Sequence, residues 1–394
     1  MAGVAEKARF YLERSVPQLR EWEEKDIFSK EEIRTLVQKR NDFEHKVLAR
    51  GNTAYEWSTY AQWERSLEAL RSKRCVRLKI RHLNSAHAGQ GRVLGIYERA
   101  VGRHPGSSEL WREYLHYTAE IKASKRWRKT MTNALRMMPT DADLWIMAGA
   151  RSAKNGDMAA ARGFFMRGCR FCTKECKLWI EYARSEMQWL DKMEKKKGRE
   201  DKKKVKKIED DDEIIMGDSD DDEDDNGMIL PEPSAAQAKV IDKQDSKQLA
   251  SNPAMDGAIP MAIFEISRKQ SFFKADVAEQ FYLMFMSFTE VSSHARISQH
   301  VLDALTTAFP KAAATCSCHI QAPILGVAPG TAEYPRRLQQ VVPLLEKYMA
   351  ETEDKAGLKR KTAAWMDEQL KWDGLDEDVR AVLEYLRKKH CGDL

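Results

Sequence analysis

Leu110-Trp111-Arg112-Glu113-Tyr114 returns 34 residues later as Leu144-Trp145-Ile146-Met147-Ala148, and after another 34 as Leu178-Trp179-Ile180-Glu181-Tyr182. Pro105 and Pro139, with Thr173 in the third place, stand six residues before each Trp. Tyr97, Met131 and Phe165 fall on the same comb, as do Ala100, Ala134 and Gly168, and likewise Val101, Leu135 and Cys169. Columns kept in register over three units are the mark of a repeat array.

Thirty-four residues hold two helices of about twelve to fifteen residues and two short turns. Trp and Tyr at i and i+3 share one helix face. The partner helix carries an aromatic residue and, three positions on, a small one that lets backbones approach. Pro ends one helix and begins the turn to the next. Neither helix buries its apolar face alone, so the pairs must stack. The fold class expected is all-α, a right-handed superhelical solenoid of helix pairs. Strand-like alternation is absent.

Outward from this core the repeat weakens. Trp57, Tyr60, Trp63, Glu64, Leu67 and Leu70 form an earlier unit, but Trp57 lies 54 residues before Trp111, so about twenty extra residues near 71–90 interrupt the comb. Downstream, Ile263-Phe264-Glu265 resembles Ile96-Tyr97-Glu98, and Phe281, Phe285, Val301, Leu305 and Pro310 point to a degenerate unit. The organisation expected is 1–193 as N-terminal helices and repeats, 194–257 as a disordered charged linker, 258–318 as degenerate repeats, and 319–394 as a further helical region.

Charge sets the linker. The 394 residues hold 66 Lys+Arg and 61 Asp+Glu, a net of +5, and that total hides the layout. Residues 1–190 carry a net of +13 and 191–207 a net of +6; Glu209 to Asp225 hold twelve carboxylates and no cation. Such like-charge runs repel and offer nothing apolar to bury. Lys195 to Lys207 has the density of a nuclear localisation signal. Ser219, followed by Asp-Asp-Asp-Glu, has the surroundings of an acidic-directed phosphosite.

Composition excludes other classes. No stretch of eighteen apolar residues could cross a membrane, and Met1 to Arg9 is too charged for a signal peptide. Seven scattered cysteines suit a reducing compartment, so a soluble intracellular protein is expected. No phosphate-binding Gly-rich loop, Gly-x-Ser-x-Gly or His-Glu-x-x-His occurs, and an enzyme is not expected. Cys169-x-x-Cys172-x-x-x-Cys176 places thiols on one helix face, but Cys169 sits in a packing column and lacks a fourth ligand nearby. Cys316-Ser-Cys318-His319 is equally weak as a zinc site. No metal, cofactor or small-molecule substrate is expected.

The pattern Trp111-x-x-Tyr114 with Ile96-Tyr97-Glu98-Arg99-Ala100-Val101 resembles the HAT (half-a-TPR) repeat of RNA-processing factors. The stretches 8–19 (Ala-Arg-Phe-Tyr-Leu-Glu-Arg-Ser-Val-Pro-Gln-Leu), 27–33, 39–45 and 68–74 resemble the U3 small nucleolar RNA-associated protein 6 family. That resemblance implies a scaffold of the small-subunit processome in the nucleolus, beside WD40 propeller proteins and their peptide segments. U3 snoRNA and pre-rRNA would share the assembly, and the role would be in processing to 18S rRNA and building the 40S subunit. A HAT-repeat scaffold in mRNA processing or splicing, and a direct RNA-binding module, stay open beside it; stretches 8–19 and 27–45 favour the first.

Two basic clusters are the candidate contacts with RNA or an acidic partner. Arg71, Lys73, Arg74, Arg77, Lys79 and Arg81 occur with no acid among eleven residues, and on one helix Arg74, Arg77 and Arg81 would share a face. Lys125, Arg126, Arg128 and Lys129 surround Trp127, which either stacks a base or fills the core. The bland alternative for both is a solvated helix face. Trp57, Trp111, Trp145, Trp179, Tyr97, Tyr114, Tyr182, Ala100, Ala134 and Gly168 are read as repeat core.

Overall fold

The computed structural model describes residues 2–206, 257–372 and 374–392. Among the described residues the chain forms 17 α-helices and no strand, so the all-α expectation holds. It divides into two compact units after Leu144.

The first unit holds α1 (Ala2–Glu13), α2 (Val16–Glu24), α3 (Lys30–Leu48), α4 (Ala54–Arg77), α5 (Ala88–Arg103), α6 (Ser108–Glu120) and α7 (Ser124–Met137). From α3 onward each helix packs on the next, while α1 and α2 pack on α3. Two starts are fixed locally by capping boxes: Ser29 with Glu32 opens α3, and Thr53 with Glu56 opens α4. The interruption of the comb near 71–90 is the long tail of α4 plus the turn after it. Lys79 ends the helix in the left-handed region (φ 56°). The turn is then clamped: Glu21 accepts from the Asn84 and Ser85 N–H groups at 2.7 and 2.9 Å, and Lys25 Nζ donates to the His82 carbonyl at 2.6 Å. Burial would raise the Glu21 carboxyl, but the hydrogen bonds from Ser85, Asn84 and Lys25 win and hold it at about 2.

Helix α8 (Ala142–Lys154) begins where the chain divides. The second unit continues with α9 (Met158–Phe171), α10 (Cys176–Lys206), α11 (Ala258–Arg268), α12 (Ala275–Met286), α13 (His294–Ala308) and α14 (Ala313–Gln321). It ends with α15 (Tyr334–Glu351), α16 (Lys355–Leu370) and α17 (Glu377–Cys391). Two expected boundaries shift. Helix α10 runs to Lys206, past the start of the linker at 194; the acidic run 209–225 and Ser219 lie outside the described residues. The division at 318/319 falls inside α14, whose Cys316 and Ile320 join Leu338, Val341, Leu358, Trp365 and Leu383 in one core. The C-terminal helices are thus continuous with the helices before them. Across the undescribed stretch the packing also resumes, since α10 lies against α11 and α12.

One rule, invisible at the full period, organises the cores. An aromatic side chain near the middle of one helix meets a second ring 17 residues on. Phe43 stacks on Tyr60 with centroids 5.1 Å apart, Tyr97 on Tyr114 at 5.6 Å, and Phe165 on Tyr182 at 5.0 Å. Phe264 meets Phe281 edge-on at 5.5 Å, in the stretch read as a degenerate repeat. Such pairs add roughly 0.5–1.5 kcal/mol beyond the area they bury. Small residues make room for them. A Cβ on Gly149 would stand 2.5 Å from the Phe165 ring, and one on Gly168 would stand 2.8 Å from Trp145 Cβ.

Candidate nucleic-acid interface

The basic segment 71–81 is split by the end of α4. Arg71 is turned inward, 8% exposed, with its Nε donating to Glu68 at 3.0 Å and Nη2 to the Ala86 carbonyl at 3.3 Å. Arg74 forks onto Glu32 at 2.8 and 2.7 Å, donates to the Ile27 carbonyl at 2.9 Å, and lies 4.5 Å over the Phe28 ring. That fork, with the Ser29 N–H, holds Glu32 at about 2. These two arginines are braces of the N-terminal helices and are not available to a partner. Lys73, Arg77, Lys79 and Arg81 stay exposed. The shared face expected of Arg74, Arg77 and Arg81 does not form, because α4 stops at Arg77 and the chain turns at Lys79.

In the second cluster, Trp127 is 5% exposed and belongs to the core, not to a stacking surface. Lys125, Arg126, Arg128 and Lys129 are exposed on α7, and Arg126 reaches Glu98 at 3.8 Å. The repeat-core residues are all buried: Trp57, Trp111, Trp145 and Trp179 lie at 3, 5, 0 and 0% exposure. Tyr97, Tyr114, Tyr182, Ala100, Ala134 and Gly168 are buried with them. Trp111 also spends its indole N–H on the Pro105 carbonyl at 2.9 Å, which ties the Pro column to the Trp column.

A feature that periodicity did not reveal lies beneath the first unit's surface. Arg40 and Glu44, both 0% exposed, and Glu64, 1% exposed, sit among Tyr60, Arg92 and Arg99. Arg40 forks onto Glu64 through Nε (3.1 Å) and Nη2. Arg99 forks onto Glu44 at 2.8 and 2.9 Å, and the Tyr60 hydroxyl donates to the same carboxylate at 2.9 Å. The Arg99 guanidinium lies 3.9 Å over the Tyr11 ring and 5.4 Å from Trp57. Arg92 is the third cation, 3.9 Å from Glu64. Burial, then the charge of Arg40, push Arg92 below the ordinary arginine range, and its Nε finds no hydrogen-bond partner among the described residues. Three guanidinium groups therefore share two carboxylates. The same device recurs in the second unit, where Arg162 forks onto Glu186 at 2.7 and 2.9 Å. In both units the Glu follows the repeat Trp by seven residues and the Arg precedes the Glu by 24, a signal that was legible in the sequence.

The cysteines pack. Cys169, Cys172, Cys316 and Cys318 are buried, and burial pushes the thiols of Cys169, Cys316 and Cys318 up, away from the thiolate a metal needs. Cys176 is partly exposed at the start of α10. His319 stacks on Tyr348 with centroids 5.1 Å apart; burial, then the Lys347 charge, hold its imidazole below the usual range.

Comparison with known proteins places this geometry. Residues 12–93, which run from the end of α1 into α5, match the U3 small nucleolar RNA-associated protein 6 family. The U3 small nucleolar RNA-associated protein 6 of Schizosaccharomyces pombe is 35% identical over 193 residues, 48% of this chain and 40% of that protein. The Homo sapiens homolog is 27% identical over 197 residues, 49% of this chain and 33% of that protein. A Dictyostelium discoideum homolog is 22% identical over 165 residues, 42% of this chain and 27% of its own length. The matches thus span less than half the length of these curated relatives. Arg40, Glu44 and Glu64 fall within the matched segment, so the buried network and the family signature occupy the same helices. Over residues 12–93 the chain is similar to the U3 small nucleolar RNA-associated protein 6 family.

Proposed function

We propose that the protein is a non-catalytic scaffold associated with the U3 small nucleolar ribonucleoprotein, acting in pre-rRNA processing toward 18S rRNA in the nucleolus. The observation that carries this reading is the likeness of residues 12–93 to the U3 small nucleolar RNA-associated protein 6 family. The architecture supports it. Stacked helix pairs of the HAT type spend their apolar faces on one another and present long polar faces to partners. The partners of this reading are WD40 propeller proteins and peptide segments of the processome, with U3 snoRNA and pre-rRNA in the same particle. Lys73, Arg77, Lys79 and Arg81 give the first unit exposed cations for acidic segments.

The test is affinity purification of the tagged full chain from its own cells, with quantitation of U3 snoRNA and rRNA precursors. Enrichment of U3 over unrelated small RNAs, and loss of 18S but not large-subunit rRNA on depletion, are expected. Recovery of spliceosomal RNAs in place of U3 would overturn the reading.

A further inference from the structure

A cleft of about 570 Å³ opens between α1, the turn that joins α3 to α4, and the end of α5. Lys7, Arg50, Arg99 and Arg103 line it together with Asn52 and Trp57, and no carboxylate does so among the described residues. Arg99 is already committed to Glu44 at the rear. Lys7, Arg50 and Arg103 are exposed, and none has a carboxylate within ion-pair distance among the described residues. Elsewhere on this surface arginines find acids readily, as Arg65 does with Glu120 and Arg74 with Glu32. Like charges gathered without a counter-charge repel one another until an anion joins them.

A second observation comes from the repeat itself. In the Trp111 unit the indole N–H is satisfied by the carbonyl six residues before it. In the Trp57 unit that position is Gly51, whose left-handed backbone (φ 79°) turns the chain another way. The Trp57 indole, 3% exposed and bordering the cleft, is left with no acceptor among the described residues. A buried donor without a partner is costly, so a negative charge above it is stabilised from below. The walls are set in advance: Asn52 donates to the Val47 carbonyl and accepts from His104 Nε2 at 2.8 Å, which joins the turn to the cap of α5. Arg103 lies in the last turn of α5, where the helix dipole already favours a cation. The dipole accounts for one cation of the four; Trp22 and Trp179 share the bare indole, and what sets Trp57 apart is that it borders the cleft.

We propose that this cleft seats backbone phosphates of single-stranded RNA. The inference rests on the scaffold reading above for its choice of RNA, and the layout favours it: cations spread over three elements suit successive phosphates better than a lone phosphorylated side chain. Lys7, Arg50 and Arg103 meet the phosphate oxygens, and the Trp57 N–H deepens the positive potential at the floor.

The test is fluorescence anisotropy of the full chain with a 20-nucleotide single-stranded RNA of mixed sequence, over a series of KCl concentrations. Neutralising Lys7, Arg50 and Arg103 together to Gln should weaken binding at least about tenfold and flatten the slope of log K against log salt by about 2, at roughly 0.7 per phosphate. Neutralising Arg20, Arg34 and Lys39 to Gln removes equal charge from exposed positions of the same unit outside the cleft and should change affinity less than about twofold. Trp57→Phe keeps the ring, loses the donor, and should weaken binding severalfold with the slope unchanged. Should the first triple variant lose its cooperative melt, Arg50→Gln alone, in an exposed turn, carries the measurement, with a slope change of about 0.7. Equal effects of the two triple variants, or none from either, overturn the inference; so does a phosphoserine peptide that binds through the cleft where RNA does not. If the cleft variants bind RNA unchanged while the tagged chain still recovers U3 snoRNA, only this inference fails. If U3 is not recovered, the scaffold reading fails with it.

Discussion

Gly168 shows how closely one residue is dictated by its column. Its counterparts Ala100 and Ala134 carry a Cβ, yet a Cβ here would come within 2.8 Å of Trp145 Cβ and Cγ and 2.9 Å of Leu178 Cδ2. Both neighbours are fully buried and have nowhere to retreat. Ala gains up to about 1 kcal/mol over Gly in a helix, while overpacking costs roughly 1–3 kcal/mol, so the clash wins. Gly168→Ala is therefore expected to lower stability in urea by about 1–2 kcal/mol. Gly163, on the same helix, has nothing within 4 Å of a Cβ, and Gly163→Ala should raise stability by up to about 1 kcal/mol. Equal shifts for the two variants would sink the packing argument. The buried arginines are the counter-example at this scale. Arg40 and Glu64 leave no mark on the apolar comb, which does not register polar positions even where Glu64 stands seven residues after its Trp.

Among the elements, the turn after α4 makes the clearest pH sensor. Glu21 and Glu32 are held at about 2 in the fold, against an ordinary value of 4.5. A carboxyl depressed by folding adds stability above its unfolded value, and that share is lost as pH falls toward the folded one. Thermal stability of the chain should fall from about pH 5 down to pH 2. Glu21→Gln removes the charge that holds Asn84, Ser85 and Lys25, so it should cost about 1–3 kcal/mol at pH 7 and flatten the acid limb. Melts of wild type and variant at pH 7, 4 and 3 check this, and an acid limb unchanged in the variant would refute it. The sequence showed twenty extra residues near 71–90 but not their form. Their hydrogen bonds run to Glu21 and Lys25, more than fifty positions away, and no local pattern encodes such a partner.

Over the whole molecule, the 34-residue comb was enough to give the all-α class and the buried Trp columns, because apolar burial leaves a periodic trace. The 318/319 boundary was misplaced for the complementary reason: Cys316, Cys318 and Ile320 pack without any repeat signature. Charge acts at this scale too. Removing 209–225 raises the formal net charge from +5 to +17. That deletion should tighten non-specific RNA binding and steepen its salt dependence, measurable on any unrelated oligonucleotide. An unchanged salt slope would show that the acidic run does not act on binding. The 17-residue ring pairs carry one more consequence, for where the chain tolerates changes of length. They fall at 43/60, 97/114, 165/182 and 264/281. Both long departures from the comb, 71–90 and the stretch outside the described residues at 207–256, lie between pairs and never within one. Length can drift where no ring has a partner to keep in step. A tag or foreign domain is better placed between pairs than within one: two residues added between Glu98 and Glu113 would carry Tyr114 off the ring it meets.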